Sequence, residues 1–134
     1  MGLERFLKAQ ERDYEIALSE IKYGQKMSHW MWYIFPQLRG LGFSSTAQFY
    51  GIADRKEAEE YLAHPVLGAR LREISRELLK LKSSDAGYVM GYPDDMKLKS
   101  SMTLFYEVSG EALFQQVLDK FFGGEKDEAT LKRL

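Results

Sequence analysis

A chain of 134 residues, 45% hydrophobic and 29% charged, has the make-up of one soluble globular domain, long enough to bury a core and too apolar to stay disordered. Nineteen Lys and Arg against twenty Asp and Glu leave a net charge of −1, so no overall field draws the protein to nucleic acid or to an anionic membrane. The lack of cysteine excludes disulfide frameworks, Cys-based zinc sites, iron–sulfur clusters and thiol nucleophiles; it suits a reducing compartment, and cytoplasm is the expected location.

No signal-like apolar run opens the chain and no stretch of about 18 apolar residues occurs, so neither export nor a membrane span is expected. From Leu3 to Lys22 the residues Leu3, Phe6, Leu7, Tyr14, Ala17, Leu18 and Ile21 recur every three or four positions between charges, an amphipathic helix that Gly24 stops. Ser28 offers an N-cap to a segment over 29–35 that ends against Pro36. Its residues Trp30 to Phe35 would cover every side of a helix or both faces of a strand, which places the segment in the middle of the domain. Gly40 and Gly42 mark a turn, after which Ser44, Ser45 or Thr46 caps a short helix through Tyr50.

Asp54 with Glu57 three residues on predicts a capping-box-like start to a helix over 55–63, broken by His64-Pro65. Val66, Leu67, Leu71, Ile74, Leu78 and Leu81 trace a further amphipathic helix to about Lys82. Beyond a single turn at 86–90 and a loop at 91–93, Asp94 or Asp95 caps a helix over 96–108, with a strand as the competing reading for 102–108. A helix over 112–122 is stopped by Gly123-Gly124, and Asp127 caps a tail over 128–134. Strand alternation is absent elsewhere. The expected fold class is therefore all-α, a single compact domain with a buried central helix surrounded by several amphipathic helices.

Chemistry concentrates in two segments. In the first turn of a helix, exposed N–H groups would keep His29 neutral and fit it as a general acid or base, with Trp32 and Tyr33 as aromatic walls and Gln37 as an amide donor and acceptor. Lys97 beside Ser101 can hold a phosphate, and His64 follows an acidic helix. Each has a plain structural reading. His29 and the aromatics fit a core, Gln37 a turn, and His64 a cap on the carbonyls that end its helix. Lys97 fits an ion pair with Asp94, and Ser101 a bond to a carbonyl one turn back. No glycine-rich nucleotide loop, His-Glu-x-x-His or Gly-x-Ser-x-Gly occurs, so no cofactor is assigned, and two separated histidines predict no metal. Arg70, Arg72, Arg76, Lys80 and Lys82 are interleaved with Glu73 and Glu77, a solvated face rather than a nucleic-acid stripe.

Four blocks have a familiar pattern: Arg5-Phe6-Leu7-x-Ala9-Gln10; the run Ser28-His29-Trp30-Met31-Trp32-Tyr33-Ile34-Phe35-Pro36-Gln37-Leu38 with Gly40-Leu41-Gly42; Tyr61-Leu62-x-His64-Pro65-Val66-Leu67-Gly68-x-Arg70-Leu71; and Asp95-x-Lys97-Leu98-x-Ser100-Ser101-Met102-Thr103-Leu104-Phe105. Spread between Leu3 and about Leu131, they resemble a bacterial domain-of-unknown-function family whose members are often labelled calpastatin. The resemblance implies a mainly helical fold with one central helix, and no established activity. Calpastatins are long, flexible, repetitive inhibitors, whereas this chain is short, aromatic-rich and without repeats, so protease inhibition is not expected. The matching blocks carry His29, Trp32, Gln37, His64, Lys97 and Ser101.

Two functions follow as expectations. One is a pocket that binds, or also hydrolyses, a small polar metabolite such as a nucleotide or nucleoside derivative. In that pocket His29 is catalytic and Trp32, Tyr33, Gln37, His64, Lys97 and Ser101 bind. The alternative is a non-catalytic helical module that recognises protein or regulates it. Neither a reaction nor an oligomeric state is encoded in any motif.

Overall fold

The apolar periodicity becomes nine helices among residues 2–134, the residues described by the computed structural model: α1 (Glu4–Tyr23), α2 (Met31–Ile34), α3 (Ser45–Tyr50), α4 (Arg55–Ala63), α5 (Leu67–Lys80), α6 (Ala86–Met90), α7 (Asp94–Ser109), α8 (Ala112–Phe122) and α9 (Glu128–Arg133). The class is all-α, as the sequence predicts, and one domain holds all of it. Gly24 ends α1 at φ 99°, donating its N–H to the carbonyls of Glu20 and Ile21. Asp54, Asp85 and Asp127 cap α4, α6 and α9 through their side chains. Glu57 completes the start of α4 by accepting from the Ala53 N–H at 2.9 Å.

The central helix is α7. Leu98 and every residue from Ser100 to Phe105 are buried, and α4, α6, α8 and α9 pack around it. A helix covered on all sides needs no polar face, which is why its second half also reads as a strand. Two of its three buried hydroxyls bond inside the helix: Ser100 and Thr103 donate to the carbonyls of Met96 and Lys99, one turn back, while that of Ser101 has no partner. An aromatic ladder crosses the core from α1 to α8, with ring centroids at 5.1 Å (Phe6–Tyr61), 5.3 Å (Tyr61–Phe105) and 6.1 Å (Phe105–Phe114).

The segment after α1 differs from its sequence reading. Trp30, Met31 and residues 33–36 are buried as expected, yet the helix is a single turn and Ser28 does not cap it. Instead the Glu20 carboxylate of α1 gathers the segment. Its Oε1 accepts from the Met27 N–H at 2.8 Å, the Ser28 N–H at 2.9 Å and the Trp30 indole at 2.8 Å, and its Oε2 from the Ser28 hydroxyl. Gln10 of α1 fastens the other end, donating to the Tyr33 carbonyl at 2.8 Å and the Tyr61 hydroxyl at 2.9 Å.

Among the described residues, strand pairing is limited to one isolated parallel bridge between Leu38 and Ile52, in which the Arg39 N–H bonds the Ile52 carbonyl and the Ile52 N–H bonds the Gln37 carbonyl. The bridge brings residues 37–39 so close to 51–52 that a Cβ on Gly51 would lie 2.6 Å from the Arg39 Cα, so glycine is required there. Buried Arg5 locks the same corner by donating to the Gly51 carbonyl and to Glu57. No helix among the described residues is long and apolar enough to cross a membrane.

Candidate functional site

Two adjoining concavities open between α2, the 37–42 turn, α3 and the start of α7, and Gln37 and Lys97 line both. The inner one is a narrow recess of about 10 Å³, room for about one water molecule. Met31, Phe35, Ala47 and Tyr50 give it apolar walls, and Trp32 and the backbone of Gly51 complete it. The outer one is open to solvent and offers about 350 Å³, at the lower end of the range of small-molecule sites. Its sides are Leu41, Pro93, Met96 and Ala129, with Ser100 and Asp127 as polar lining.

Local sequence explains how the polar groups come to face this space. Pro36 ends the α2 segment and the Leu38–Ile52 bridge holds the Gln37 backbone, so the amide is presented from a fixed turn. Gly42 closes the turn against α3, where a Cβ would lie 2.7 Å from that of Ala47 and 3.5 Å from the Gln37 amide nitrogen. Lys97 stands in the first turn of α7, its ammonium 5.2 Å from the centroid of the Trp32 ring and 3.5 Å from Asp94 Oδ1. Asp94 also holds the nearly buried Lys26 ammonium at 2.8 Å, and Lys26 lies over Trp30 at 5.0 Å and donates to the Ser28 carbonyl. One carboxylate thus serves two ammonium groups.

The lining of the outer concavity also includes Asp127. Its Oδ2 accepts from the Ser100 hydroxyl at 3.0 Å, the Thr130 N–H at 3.1 Å and the Thr130 hydroxyl at 2.6 Å, while its own N–H donates to Thr103 Oγ1 at 2.9 Å. Ser100, Thr103 and Thr130 are buried, so the carboxylate is held from inside the core.

Of the residues singled out from sequence, Trp32, Gln37 and Lys97 are brought to these concavities although α2 and α7 are far apart in the chain. The Trp32 face is covered by the Lys97 ammonium, so the ring serves first as a platform for the cation. Tyr33 lies behind the inner wall, its ring 5.0 Å from that of Tyr50. Burial and the bond it donates to Asp13 push its hydroxyl pKa up to about 12. His29 is exposed and lines neither concavity; its carbonyl accepts from the Tyr33 hydroxyl. His64 is elsewhere too. Its Nδ1 accepts from the N–H groups of Val66 and Leu67 at the start of α5, rather than capping the carbonyls that end α4. Ser101 is fully buried with no hydrogen-bond partner for its hydroxyl; Ser100 makes the bond one turn back that the sequence suggested for Ser101.

Sequence reasoning missed Tyr50, Gly51 and Gly42 as lining residues and saw Asp127 only as a helix cap. The capping signal in Asp127 and Thr130 is local and legible, whereas the bond from Ser100 crosses 27 positions and leaves no pattern.

A family profile described as "Protein of unknown function (DUF1810)" matches residues 1–134, and the chain belongs to that family. The crystal structure of the conserved hypothetical protein Rv1873 from Mycobacterium tuberculosis is similar over 98% of this chain and 95% of that one, at 42% identity and a TM-score of 0.96. No curated protein matches the chain.

Proposed function

We propose that this DUF1810 protein binds a small anionic metabolite, of the nucleotide or nucleoside-derivative class, in the paired concavities. The observation that carries the reading is the position of Lys97. Its ammonium is held over Trp32 and lines both concavities, as does Gln37, so a cation on an aromatic platform and a two-way hydrogen-bonding group share one mouth. Anionic oxygens would take Lys97, the body of the ligand would fill the outer concavity, and only a small group would enter the inner one. Its contact with Asp94 is long and partly exposed, the kind of pair worth about 1 kcal/mol or less, so an incoming anion displaces it at little cost.

The reading is one of binding. His29 and His64 lie outside both concavities, so hydrolysis by a histidine base does not enter it, and Tyr33 and Ser101 support the site from behind without lining it. The absence of cysteine supports placement in a reducing cytoplasm.

The test is a thermal-shift screen of nucleotides and sugar phosphates, in which a ligand at 100 times its Kd raises stability by about 2.7 kcal/mol. A shift is expected that disappears in Lys97→Ala and Trp32→Ala and persists in His29→Ala. No shift across the panel, or one indifferent to Lys97→Ala, overturns the reading.

One observation favours a protein partner as the second reading. Phe43 is 87% exposed beside Gly42, Tyr92 is 85% exposed beside Pro93, and Met96 lines the outer concavity itself. Such bare apolar surface at a mouth is a common mark of protein contacts. A stoichiometric partner retained at physiological salt and lost in Phe43→Ser with Tyr92→Ser would favour that reading.

A further inference from the structure

We infer that Asp127 is the hydroxyl-reading group of the site, and that the ligand class is a phosphorylated ribose bearing a free 2′,3′-diol; this rests on the binding reading above. The two oxygens of this carboxylate are in unlike situations. Oδ2 takes three donors, from Ser100 and twice from Thr130, which exhausts its lone pairs. Oδ1 has no partner among the described residues, while the residue lines the outer concavity together with Gln37 and Lys97. Capping α9 uses only the Thr130 N–H bond. The remaining bonds fix the plane of the carboxylate: the Thr130 and Ser100 hydroxyls at Oδ2, and Thr103 at the backbone N–H.

An ionised carboxylate only accepts hydrogen bonds. It repels phosphate and carboxylate groups and attracts hydroxyls, and a rigid one does so without first losing side-chain entropy. The outer concavity therefore offers two unlike groups, the ammonium of Lys97 and the acceptor oxygen of Asp127. A ligand that satisfies both carries a charged group and, apart from it, hydroxyl donors. A phosphorylated ribose does this, its 5′-phosphate directed to Lys97 and its vicinal hydroxyls to Asp127 and the Gln37 amide. A dicarboxylate or an inorganic polyanion does not.

Binding of the four ribonucleoside 5′-monophosphates and of their 2′,3′-dideoxy counterparts, measured by calorimetry, tests the assignment. Wild type is expected to prefer the ribo forms by about tenfold, the contribution of one charge-assisted hydrogen bond at a partly exposed site. Asp127→Asn keeps a carbonyl oxygen for the α9 cap and turns an amide NH₂ toward the ligand, so it should erase the preference between the two series, whatever the loss of charge does to both. A circular-dichroism spectrum and a cooperative melt like those of wild type report that the variant is folded. Ser100→Ala, which frees the carboxylate to rotate without removing its charge, should narrow the preference. Equal wild-type affinity for both series, or a preference that survives Asp127→Asn, overturns the role of Asp127 and leaves the binding reading standing. No binding of either series to wild type overturns the nucleotide reading and this one with it.

Discussion

The indole N–H of Trp30 donates to Oε1 of Glu20 at 2.8 Å, a bond between a buried ring and a carboxylate one helix earlier. The same carboxylate satisfies two backbone N–H groups and a hydroxyl of the connecting loop. Truncating it strands several donors in a closed environment. Glu20→Ala should therefore cost about 3 kcal/mol, read as a lower urea midpoint at unchanged m-value. Glu20→Gln, which keeps one acceptor, should fall between. A loss below about 1 kcal/mol would mean that water takes over these bonds.

Acid sensitivity follows from the same group and two others. Burial alone would raise the Glu20 carboxyl, but the donors from Ser28, Met27 and Trp30 outweigh it and hold it below the ordinary value of 4.5. At Glu57 burial is likewise outweighed, by Arg5 and the Ala53 N–H, and at Glu111 the Arg72 guanidinium dominates. A depressed folded-state pKa stabilises the protein above the unfolded value and ceases to do so as pH falls through the folded one. Stability should therefore be level near neutrality and fall below about pH 4.5, with a shallower fall in Glu20→Gln. Chemical denaturation at a series of pH values measures both, and an unchanged slope in the variant would remove Glu20 from the account.

How much of this was legible depended on range. Caps such as Asp54 and Asp127 sit within three residues of what they bond, and amphipathic stripes repeat within one helix, so the helices and the all-α class could be read directly. Trp32, Gln37 and Lys97 stood out by type, and the fold brings them together across about 60 positions that no periodicity connects. His29 drew notice for its place among buried aromatics, yet that segment turns Trp30 inward to Glu20 and leaves His29 facing solvent. The one-turn length of α2 was hidden for the same reason: what holds the segment is a carboxylate on α1.

Ser101 offers a prediction of opposite sign. Its hydroxyl is fully buried without a partner, so its desolvation is uncompensated. Ser101→Ala also gains helix propensity, and it should leave stability unchanged or raise it by up to about 1 kcal/mol. A drop of more than about 1 kcal/mol in urea titration would show that the hydroxyl has a partner after all.

Gly68 marks where α5 crosses the end of α4. A Cβ there would lie 2.1 Å from the Leu62 carbonyl oxygen and 2.7 Å from Arg72 Nη1, which itself donates to that carbonyl. Because the nearer obstacle is backbone, it has no rotamer to escape into. Gly68→Ala should cost about 3 kcal/mol or more despite the better helix propensity of alanine. A melting temperature equal to wild type would mean that the two helices slide apart freely.

Asp94 stands between a tightly held Lys26 and a loosely held Lys97. If Lys97 takes an anion as proposed above, Asp94 would keep its other counter-ion and no carboxylate would be left bare. Filling the site would then be an exchange of counter-ions at one lysine with the loop anchored by Lys26 in place, so the free and bound proteins would share one backbone.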